Sequence, residues 1–191
     1  MNTALMVIDI QNDYFPGGRM ALDGMDAAAM RCQALLKNFR ARHAPVFIVQ
    51  HLFNTPNPPF FAPDTHGAEL HHSVAPAARD RVIVKHAVNC FLGTELLQEL
   101  HRAGAGKLVI CGAMSHMCVD AAVRAAADFG FPCTLAHDAC ATRTLEFNGV
   151  TVPAEQVHAA YLAALSGAYA RVVSTAEILQ GLEEESRQGL D

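Results

Sequence analysis

The sequence predicts an α/β fold of three layers, in which helices cover both faces of a six-stranded, mostly parallel sheet. Strand-type and helix-type patterns alternate along the chain, which implies right-handed crossovers between parallel strands. The composition, with 51% hydrophobic and 17% charged residues, is typical of a globular protein rather than of a disordered chain. Because 191 residues are enough for one domain with a substantial core, we predict a single domain over residues 1–191.

Six segments have the pattern of strands. Each is a short, nearly continuous apolar run, as expected for a strand that is covered on both faces. In chain order they are ALMVIDI (4–10), PVFIVQHL (45–52), RVIVKH (81–86), KLVICGAM (107–114), PCTLAHDAC (132–140) and ARVVS (170–174).

Five segments between and after these strands have the pattern of helices. They cover residues 26–42, 93–104, 118–130, 153–168 and 175–185. An apolar stripe is predicted on the first helix, at Met30, Leu35, Leu36 and Phe39. Thr94 is a candidate cap for the second helix and Gly104 is suited to end it, while Pro153 occupies a first-turn position of the fourth.

Charge and cysteine usage exclude several classes of function. The net charge is −5 and no run of Lys or Arg is present, which argues against a nucleic-acid-binding surface. The six cysteines include no CxxC pair, and the first residues, MNTALMVIDI, lack the basic and cleavable regions of a signal peptide. We therefore expect a reducing, cytoplasmic location without disulfide bonds. No apolar run approaches the roughly 20 residues that a membrane span requires, so we expect no membrane association.

The stretch from Phe53 to Asp80 is too long for an ordinary connection between a strand and its neighbour. Loops of this length in a compact domain are usually functional or disordered. The aromatic residues Phe53, Phe60 and Phe61 predict an apolar lid or a subunit contact. A flexible surface insertion is the alternative.

Three predicted strands are followed or ended by residues that carry chemistry. Asp9 interrupts the first apolar run, Lys85 ends the third, and Cys118 opens the helix after the fourth. Each has a structural interpretation when it is taken alone. The aspartate would cap a turn, the lysine would extend to solvent, and the cysteine would be a small buried apolar residue.

The combination of these three residues favours a nucleophilic site. In parallel sheets, ligands bind beyond the carboxyl ends of the strands, where all three residues lie. A thiol at a helix N-terminus is close to the positive end of the helix dipole, which favours the thiolate, and a nearby ammonium group adds to this effect. A carboxylate could accept the thiol proton, and the N–H groups of the helix start could bind an oxyanion.

Three segments resemble the signature segments of the isochorismatase-like cysteine hydrolase superfamily, which includes nicotinamidases and N-carbamoylsarcosine amidohydrolases. The segments are LMVIDIQNDYF, VIVKHAVNCF and VICGAMSHMCVDAAVRAA, and the likeness extends over nearly the whole chain. The resemblance implies a catalytic triad in which Cys118 is the nucleophile, Asp9 the general base and Lys85 the supporting cation. It also implies a non-proline cis peptide between Ala113 and Met114, which would direct the Met114 N–H, together with that of Cys118, at the oxyanion.

The sequence departs from two members of this superfamily. Nicotinamidases carry an Asp-x-His metal motif after the second strand, where this chain has Gln50, His51 and Phe53. The histidines His51, His66, His71 and His72 are left as possible ligands of a metal such as zinc. We favour the interpretation that they are ordinary loop residues, and we predict neither a metal nor an organic cofactor. Some true isochorismatases lack the nucleophilic cysteine, so Cys118 favours attack on a carbonyl carbon and hydrolysis of a C–N bond.

Further pocket residues are predicted from their positions near the triad. The candidates for substrate binding are Gln11, Phe15, His51, Phe60 and His116. For His116, capping of the turn before Cys118 is an equal alternative. Asp138 is expected to cap a loop, and His158 to be packed in the interior or at a subunit contact.

We therefore predict a hydrolase that cleaves a small amide or a related C–N bond through a thioester intermediate on Cys118. Its partner is a small-molecule substrate, and we expect a homo-oligomer. Two alternatives remain open. One is a metal-assisted nicotinamidase, and the other is a non-catalytic protein that binds a ligand or senses redox state.

Overall fold

A central sheet with helices on both faces is the architecture of residues 2–188, the part of the chain that this computed structural model describes. The elements are β1 (Asn2–Ile8), α1 (Met25–Ala41), β2 (Val46–His51), β3 (Arg81–Lys85), α2 (Leu96–Arg102), β4 (Ala105–Ala113), α3 (Cys118–Asp128), β5 (Cys133–Ala141), β6 (Leu145–Phe147), β7 (Val150–Val152), α4 (Ala154–Leu165), β8 (Ala170–Val173) and α5 (Thr175–Gln188). All six predicted strands and all five predicted helices are present, which confirms the fold class.

The order of the strands determines where the site lies. β3, β2, β1, β4, β5 and β8 lie side by side in that order, and every neighbouring pair is parallel. The chain builds the sheet from β1 outward to β3 and then returns to place β4 on the other side of β1. The strand order therefore reverses between β1 and β4, which is where open sheets of this kind bind ligands. Asp9 directly follows β1, and Cys118 begins the helix after β4.

Each face of the sheet has its own apolar core. Within β1, Leu5 and Val7 belong to the core beneath α1 and α5, whereas Met6 and Ile8 belong to the core beneath α2, α3 and α4. Successive side chains of a strand point to opposite faces, and here both faces are covered. This is why the strands are continuous apolar runs in the sequence.

The predicted stripe of α1 is correct for three of its four residues. Leu35, Leu36 and Phe39 are buried, but the prediction is wrong for Met30, whose side chain is 65% exposed. Position 30 lies outside the buried stripe of the helix, which passes through Ala29 and Cys32 instead.

Residues 145–152, which the sequence analysis leaves in a loop, form an antiparallel hairpin of β6 and β7. Its turn residues, Asn148 and Gly149, both have positive φ. Asn-Gly is a strong signal for tight hairpins, since such turns need positive φ at both central positions. The signal is present in the sequence, and the prediction missed it.

The stretch between β2 and β3 packs against the domain. It contains two short 3-10 turns, His66–Ala68 and His72–Val74, and it buries Phe61, Ala68 and Val74. The alternative of a flexible insertion is therefore not what the structure shows. None of the helices within residues 2–188 has both the length and the apolar character that a membrane span needs.

Candidate active site

Three strand ends bring a carboxylate, an ammonium group and a thiol together. Asp9 Oδ2 lies 2.9 Å from Lys85 Nζ, and Lys85 Nζ lies 3.2 Å from Cys118 Sγ. A carboxylate oxygen of Asp9 also lies within 4.8 Å of Cys118 Sγ. The side chains of Asp9 and Lys85 are fully buried, and Cys118 is only 3% exposed. The structure thus places the three sequence-predicted residues in one solvent-shielded cluster.

The positions of these residues in the fold explain their chemical types. β2 separates β3 from β1, and neighbouring strands are about 4.8 Å apart, so a cation from β3 needs a long side chain to reach Asp9. Asp9 has φ of +51°, a left-handed conformation that aspartate tolerates better than most residues do. The chain leaves the strand at this residue, and the carboxylate lies beside the start of α3.

His51, at the end of β2, lies among the three residues. It pairs in register with Lys85, and its Nδ1 is 2.8 Å from Lys85 Nζ. The same nitrogen is 4.0 Å from Cys118 Sγ and 4.0 Å from Asp9 Oδ2. Burial, followed by the charges of Lys85 and His86, lowers the pKa of His51 to about 3. The imidazole is therefore neutral at physiological pH.

The thiol of Cys118 is protonated in the resting site. Burial raises the pKa of this thiol above its usual range, and the Asp9 carboxylate raises it further, while the Lys85 ammonium lowers it but is outweighed. The helix start and the lysine that the sequence shows both favour a thiolate, but burial has the larger effect on the pKa of the resting thiol. Depth of burial, the dominant cause, could not be read from the pattern of residues.

Burial affects the two charged partners in different ways. It raises the pKa of Asp9, and Lys85 offsets this rise only in part. Burial alone would lower the pKa of Lys85, but the negative charge of Asp9 and the hydrogen bonds to Asp9 and Cys118 raise it. The lysine therefore remains an ammonium ion, and Asp9 is a more basic carboxylate than a solvent-exposed one.

The turn before Cys118 leaves two backbone donors free. The peptide bond between Ala113 and Met114 is cis, as the resemblance implies. The N–H groups of Met114 and Cys118 donate to no acceptor within residues 2–188. Free N–H groups near a nucleophile are the type of donor that binds an oxyanion.

Hydrogen bonds hold the side chains of this turn. The Ser115 hydroxyl is 2.9 Å from His158 Nδ1, and His116 Nδ1 is 2.5 Å from the hydroxyl of Thr142. His158 therefore contacts the turn through Ser115, and the sequence did not predict this contact. Both contacts connect the turn to elements that follow it in the chain, the end of β5 and α4.

Aromatic side chains line the other side of the cluster. The Phe53 ring centroid is 4.5 Å from that of His51, and Phe60 packs edge-on against Phe53 at 5.1 Å. Tyr14 and Phe61, whose ring centroids are 4.6 Å apart, continue this aromatic wall. Phe60 was a predicted pocket residue, whereas the sequence analysis did not select Tyr14. Its position five residues after Asp9, next to Phe15, was the available signal.

Phe15, another candidate for substrate binding, contacts a different part of the loop. Its ring stacks on His71, with centroids 3.6 Å apart and planes at 14°. No ring contact joins it to the aromatic wall of Tyr14, Phe53, Phe60 and Phe61 among the described residues.

Comparison with known proteins decides the family. The family model of the Isochorismatase domain matches residues 3–177, which is most of the chain. The chain belongs to the isochorismatase family of hydrolases. It is 51% identical to the isochorismatase family protein YddQ of Bacillus subtilis (strain 168) over 180 residues, which cover 94% of this chain and 100% of that protein.

Two further relatives support this assignment. The solved structure of an isochorismatase hydrolase from Oleispira antarctica has 51% sequence identity and a TM-score of 0.91, with 94% of this chain and 96% of that chain covered. The streptothricin hydrolase of Streptomyces noursei is 39% identical over 140 residues, which are 73% of this chain and 54% of that protein.

In this isochorismatase family member, Gln11 connects three parts of the site. Its Nε2 donates to the carbonyl groups of His51 and Ala68, each at 2.8 Å, and its Oε1 accepts the His51 N–H at 2.8 Å. Both amide hydrogens are therefore used within the protein. Gln11 was predicted to bind substrate, but the contacts that the structure gives it position His51 and the loop.

A resident metal does not fit the donor set of this isochorismatase family member. Within residues 2–188, only Asp9, His51 and Cys118 combine three potential metal ligands at suitable spacing. Lys85 Nζ lies within 3.2 Å of an atom of each of them. The ammonium group occupies the position between these donors, and a metal ion there would face a buried cation at contact distance.

The loop histidines do not assemble with His51 into a metal site either. His66 is exposed and pairs with Glu69 at 3.0 Å. His71 lies between the rings of Phe15 and His72. The prediction of ordinary loop histidines agrees with these contacts of His66 and His71, but it is wrong for His51, which ends β2 and is buried among the site residues.

Proposed function

We propose that this isochorismatase family hydrolase cleaves the C–N bond of a small amide through a thioester on Cys118. The observation that carries the proposal is a buried thiol that lies 3.2 Å from an ammonium group and within 4.8 Å of a carboxylate oxygen. A nucleophile, a base and a cation are the groups that amide hydrolysis through an acyl-enzyme requires. A protein that only binds a ligand has no need for all three.

The first half of the reaction begins with a neutral thiol. Asp9 accepts the thiol proton as Cys118 Sγ attacks the carbonyl carbon, and its raised pKa brings it closer to the value that suits a general base at neutral pH. Lys85 stabilises the negative charge that passes from the carboxylate to the sulfur. The free N–H groups of Met114 and Cys118 donate hydrogen bonds to the oxyanion of the tetrahedral intermediate.

The second half returns the site to its starting state. The tetrahedral intermediate collapses, the C–N bond breaks, and the protonated Asp9 donates its proton to the leaving amine or ammonia. The same carboxylate then removes a proton from a water molecule, which attacks the thioester carbonyl. The acid leaves, and the thiol recovers its proton.

Burial and the aromatic wall favour a small substrate with an apolar portion. Tyr14 and Phe61 are almost completely buried, and Phe53 and Phe60 are partly so. Flat apolar groups pack well against such rings.

The experiment is a screen of small primary amides, ureido acids and lactams with the wild-type protein and Cys118→Ala. We expect the variant to lose at least about 10³-fold in kcat/KM, because nucleophile and base act as one unit. Asp9→Asn should lose a similar factor. Cys133→Ala is the matched control, since this buried thiol has no acidic or basic partner within residues 2–188, and it should retain activity. Full activity of Cys118→Ala would contradict the proposal.

Labelling with iodoacetamide provides a second measurement. We expect Cys118 to react faster than the other five cysteines, because Asp9 can accept its proton as the sulfur attacks and Lys85 stabilises the negative charge that forms on the sulfur. Equal rates for all six, measured by peptide mass spectrometry, would count against a nucleophilic role. The homo-oligomer and the cytoplasmic location stay predictions, and light scattering in solution tests the first.

A further inference from the structure

One nitrogen of His51 lacks a hydrogen-bond partner although the side chain is buried. His51 is only 4% exposed, and its Nε2 has no partner among the described residues. Buried polar atoms are hydrogen-bonded in the large majority of cases, and an exception calls for a specific explanation. The proposed mechanism does not use this nitrogen.

The contacts of His51 determine which nitrogen carries the proton. The Lys85 ammonium has only hydrogens to offer, so His51 Nδ1 must accept at the 2.8 Å contact. The ring is neutral, because burial and the charges of Lys85 and His86 oppose its protonation. The single ring proton is therefore on Nε2, and the atom without a partner is an N–H donor.

The ring cannot turn away easily to find another partner. Gln11 fixes the backbone of His51 on both its N–H and its carbonyl group. The rings of Phe53 and Phe61 pack around the imidazole, with centroids at 4.5 and 6.1 Å. These neighbours offer no conventional acceptor to the Nε2–H.

We propose that the Nε2–H of His51 donates a hydrogen bond to the substrate, at an acceptor other than the oxygen of the reacting carbonyl. This inference rests on the proposed function. Nδ1 of the same ring is 4.0 Å from Cys118 Sγ, so a substrate bound to the sulfur lies beside the imidazole. The favoured substrate class is a small amide with a second acceptor a few bonds from the reacting carbonyl, such as a ureido acid.

Two conservative variants distinguish the acceptor role of His51 Nδ1 from the donor role of His51 Nε2. His51→Asn places an amide oxygen near the position of Nδ1, which keeps the acceptor for Lys85 but removes the Nε2–H. His51→Gln places an amide nitrogen near the position of Nε2, which keeps a donor but removes the acceptor for Lys85. A purely structural role of the ring would not distinguish these variants in this way.

The first measurement is ¹⁵N NMR of the imidazole in the resting wild-type protein. We expect an Nε2–H tautomer that does not titrate between pH 8 and pH 5. An Nδ1–H tautomer, or titration near the usual pKa of histidine, would overturn the inference without reference to any substrate.

The second measurement is the binding of a matched pair of probes, N-carbamoylglycine and butyramide, to Cys118→Ala. N-carbamoylglycine carries further acceptors, and butyramide has only its amide group. We expect N-carbamoylglycine to bind more tightly than butyramide. In His51→Asn this difference in affinity should be reduced about tenfold, as expected for the loss of one hydrogen bond. In His51→Gln the difference should largely remain. Binding without this preference, or no binding of either probe, would overturn the inference.

The same probes keep this inference distinct from the proposed function. If wild-type protein hydrolyses both amides equally well, the function stands and the inference fails. If N-carbamoylglycine binds with the expected dependence on His51 but no amide is ever hydrolysed, the inference stands and the function fails.

Discussion

Replacing Lys85 with methionine tests whether the buried cation stabilises the fold as well as the chemistry. Its Nζ lies 2.9 Å from Asp9 Oδ2, and both side chains have no exposure to solvent. At this distance and an effective dielectric constant of about 20, the attraction is about 6 kcal/mol. Much of it offsets the cost of burying the two charges. Removing one partner leaves the other charge unpaired, which costs about 3–5 kcal/mol.

The loss of folding stability in Lys85→Met should increase with pH. Lys85 normally lowers the pKa of Asp9, so its removal raises this pKa further above the unfolded value. A carboxyl group with a raised pKa in the folded state contributes stability at acidic pH, and this is lost as the pH rises through the folded pKa. We therefore expect the variant to be closest to wild type near pH 5 and to lose the full amount at pH 8.

Urea unfolding at pH 5 and pH 8 measures this effect. The double variant Asp9→Asn/Lys85→Met contains no buried unpaired charge, so it should be more stable at pH 8 than Lys85→Met alone. Lys107→Met is the matched control, because Lys107 is an exposed strand residue. The reasoning is refuted if Lys85→Met unfolds within about 1 kcal/mol of wild type at pH 8, or if the double variant is no more stable than the single one.

Three further predictions concern the core and the site. Burial raises the pKa of both Cys90 and Cys133 to about 12, so these thiols ionise at lower pH in the unfolded chain than in the folded protein. Under reducing conditions, the free energy of unfolding should therefore fall above pH 9, by up to about 1.4 kcal/mol per pH unit for each thiol. Urea unfolding at pH 8 to 10 that shows no decline would contradict this. Gly112→Ala should prevent stable folding, because a Cβ there would lie 2.0 Å from a backbone oxygen of β1 and φ is +127°. Gly149→Ala, at φ +76° in open space, should cost only about 1–3 kcal/mol, and equal losses in thermal unfolding of the two variants would argue against the steric explanation. Gln11→Leu leaves the N–H and carbonyl groups of His51 without this side chain as a partner, while the Ala68 carbonyl keeps Gln50 Nε2 at 2.9 Å. We expect a cost of about 2–6 kcal/mol, at about 1–3 kcal/mol for each of the two groups; thermal unfolding indistinguishable from wild type would contradict this.

The sequence was sufficient to predict that Asp9, Lys85 and Cys118 lie together. Each residue ends a strand or begins the helix after one, and the carboxyl ends of parallel strands meet at one edge of a sheet. Periodicity and chain order indicated this edge of the sheet, and the resemblance of three segments to the isochorismatase-like superfamily implied that the three residues form one triad. The fold class followed for the same reason, since alternating strands and helices permit few arrangements.

The electrostatics of the site could not be predicted in the same way. A helix start and a lysine both favour a thiolate, and a sequence shows these features directly. The larger effect is the burial of Cys118, which belongs to the apolar core beneath α2, α3 and α4. That core joins residues that are far apart in the chain, and no short-range pattern encodes their contacts.

The supporting contacts of Gln11 and His51 were missed for a related reason. Position near a catalytic residue predicted substrate contact for both, and the hydrogen bond proposed for Nε2–H keeps that role for His51. The structure shows in addition that Gln11 fixes the backbone of His51 and that His51 Nδ1 contacts Lys85. Side chains that support other side chains look like pocket residues until the hydrogen bonds are known.

The ammonium group at the centre of the donor cluster has a consequence for the living cell. A cation that belongs to the polypeptide is present in every folded copy, so the supply of trace metals does not limit it and chelating agents do not remove it. The strand that carries Lys85 sets the position of the ammonium group, so the group returns to this position each time the chain refolds. Because no solvent reaches the amine, reagents that modify surface lysines should leave it intact.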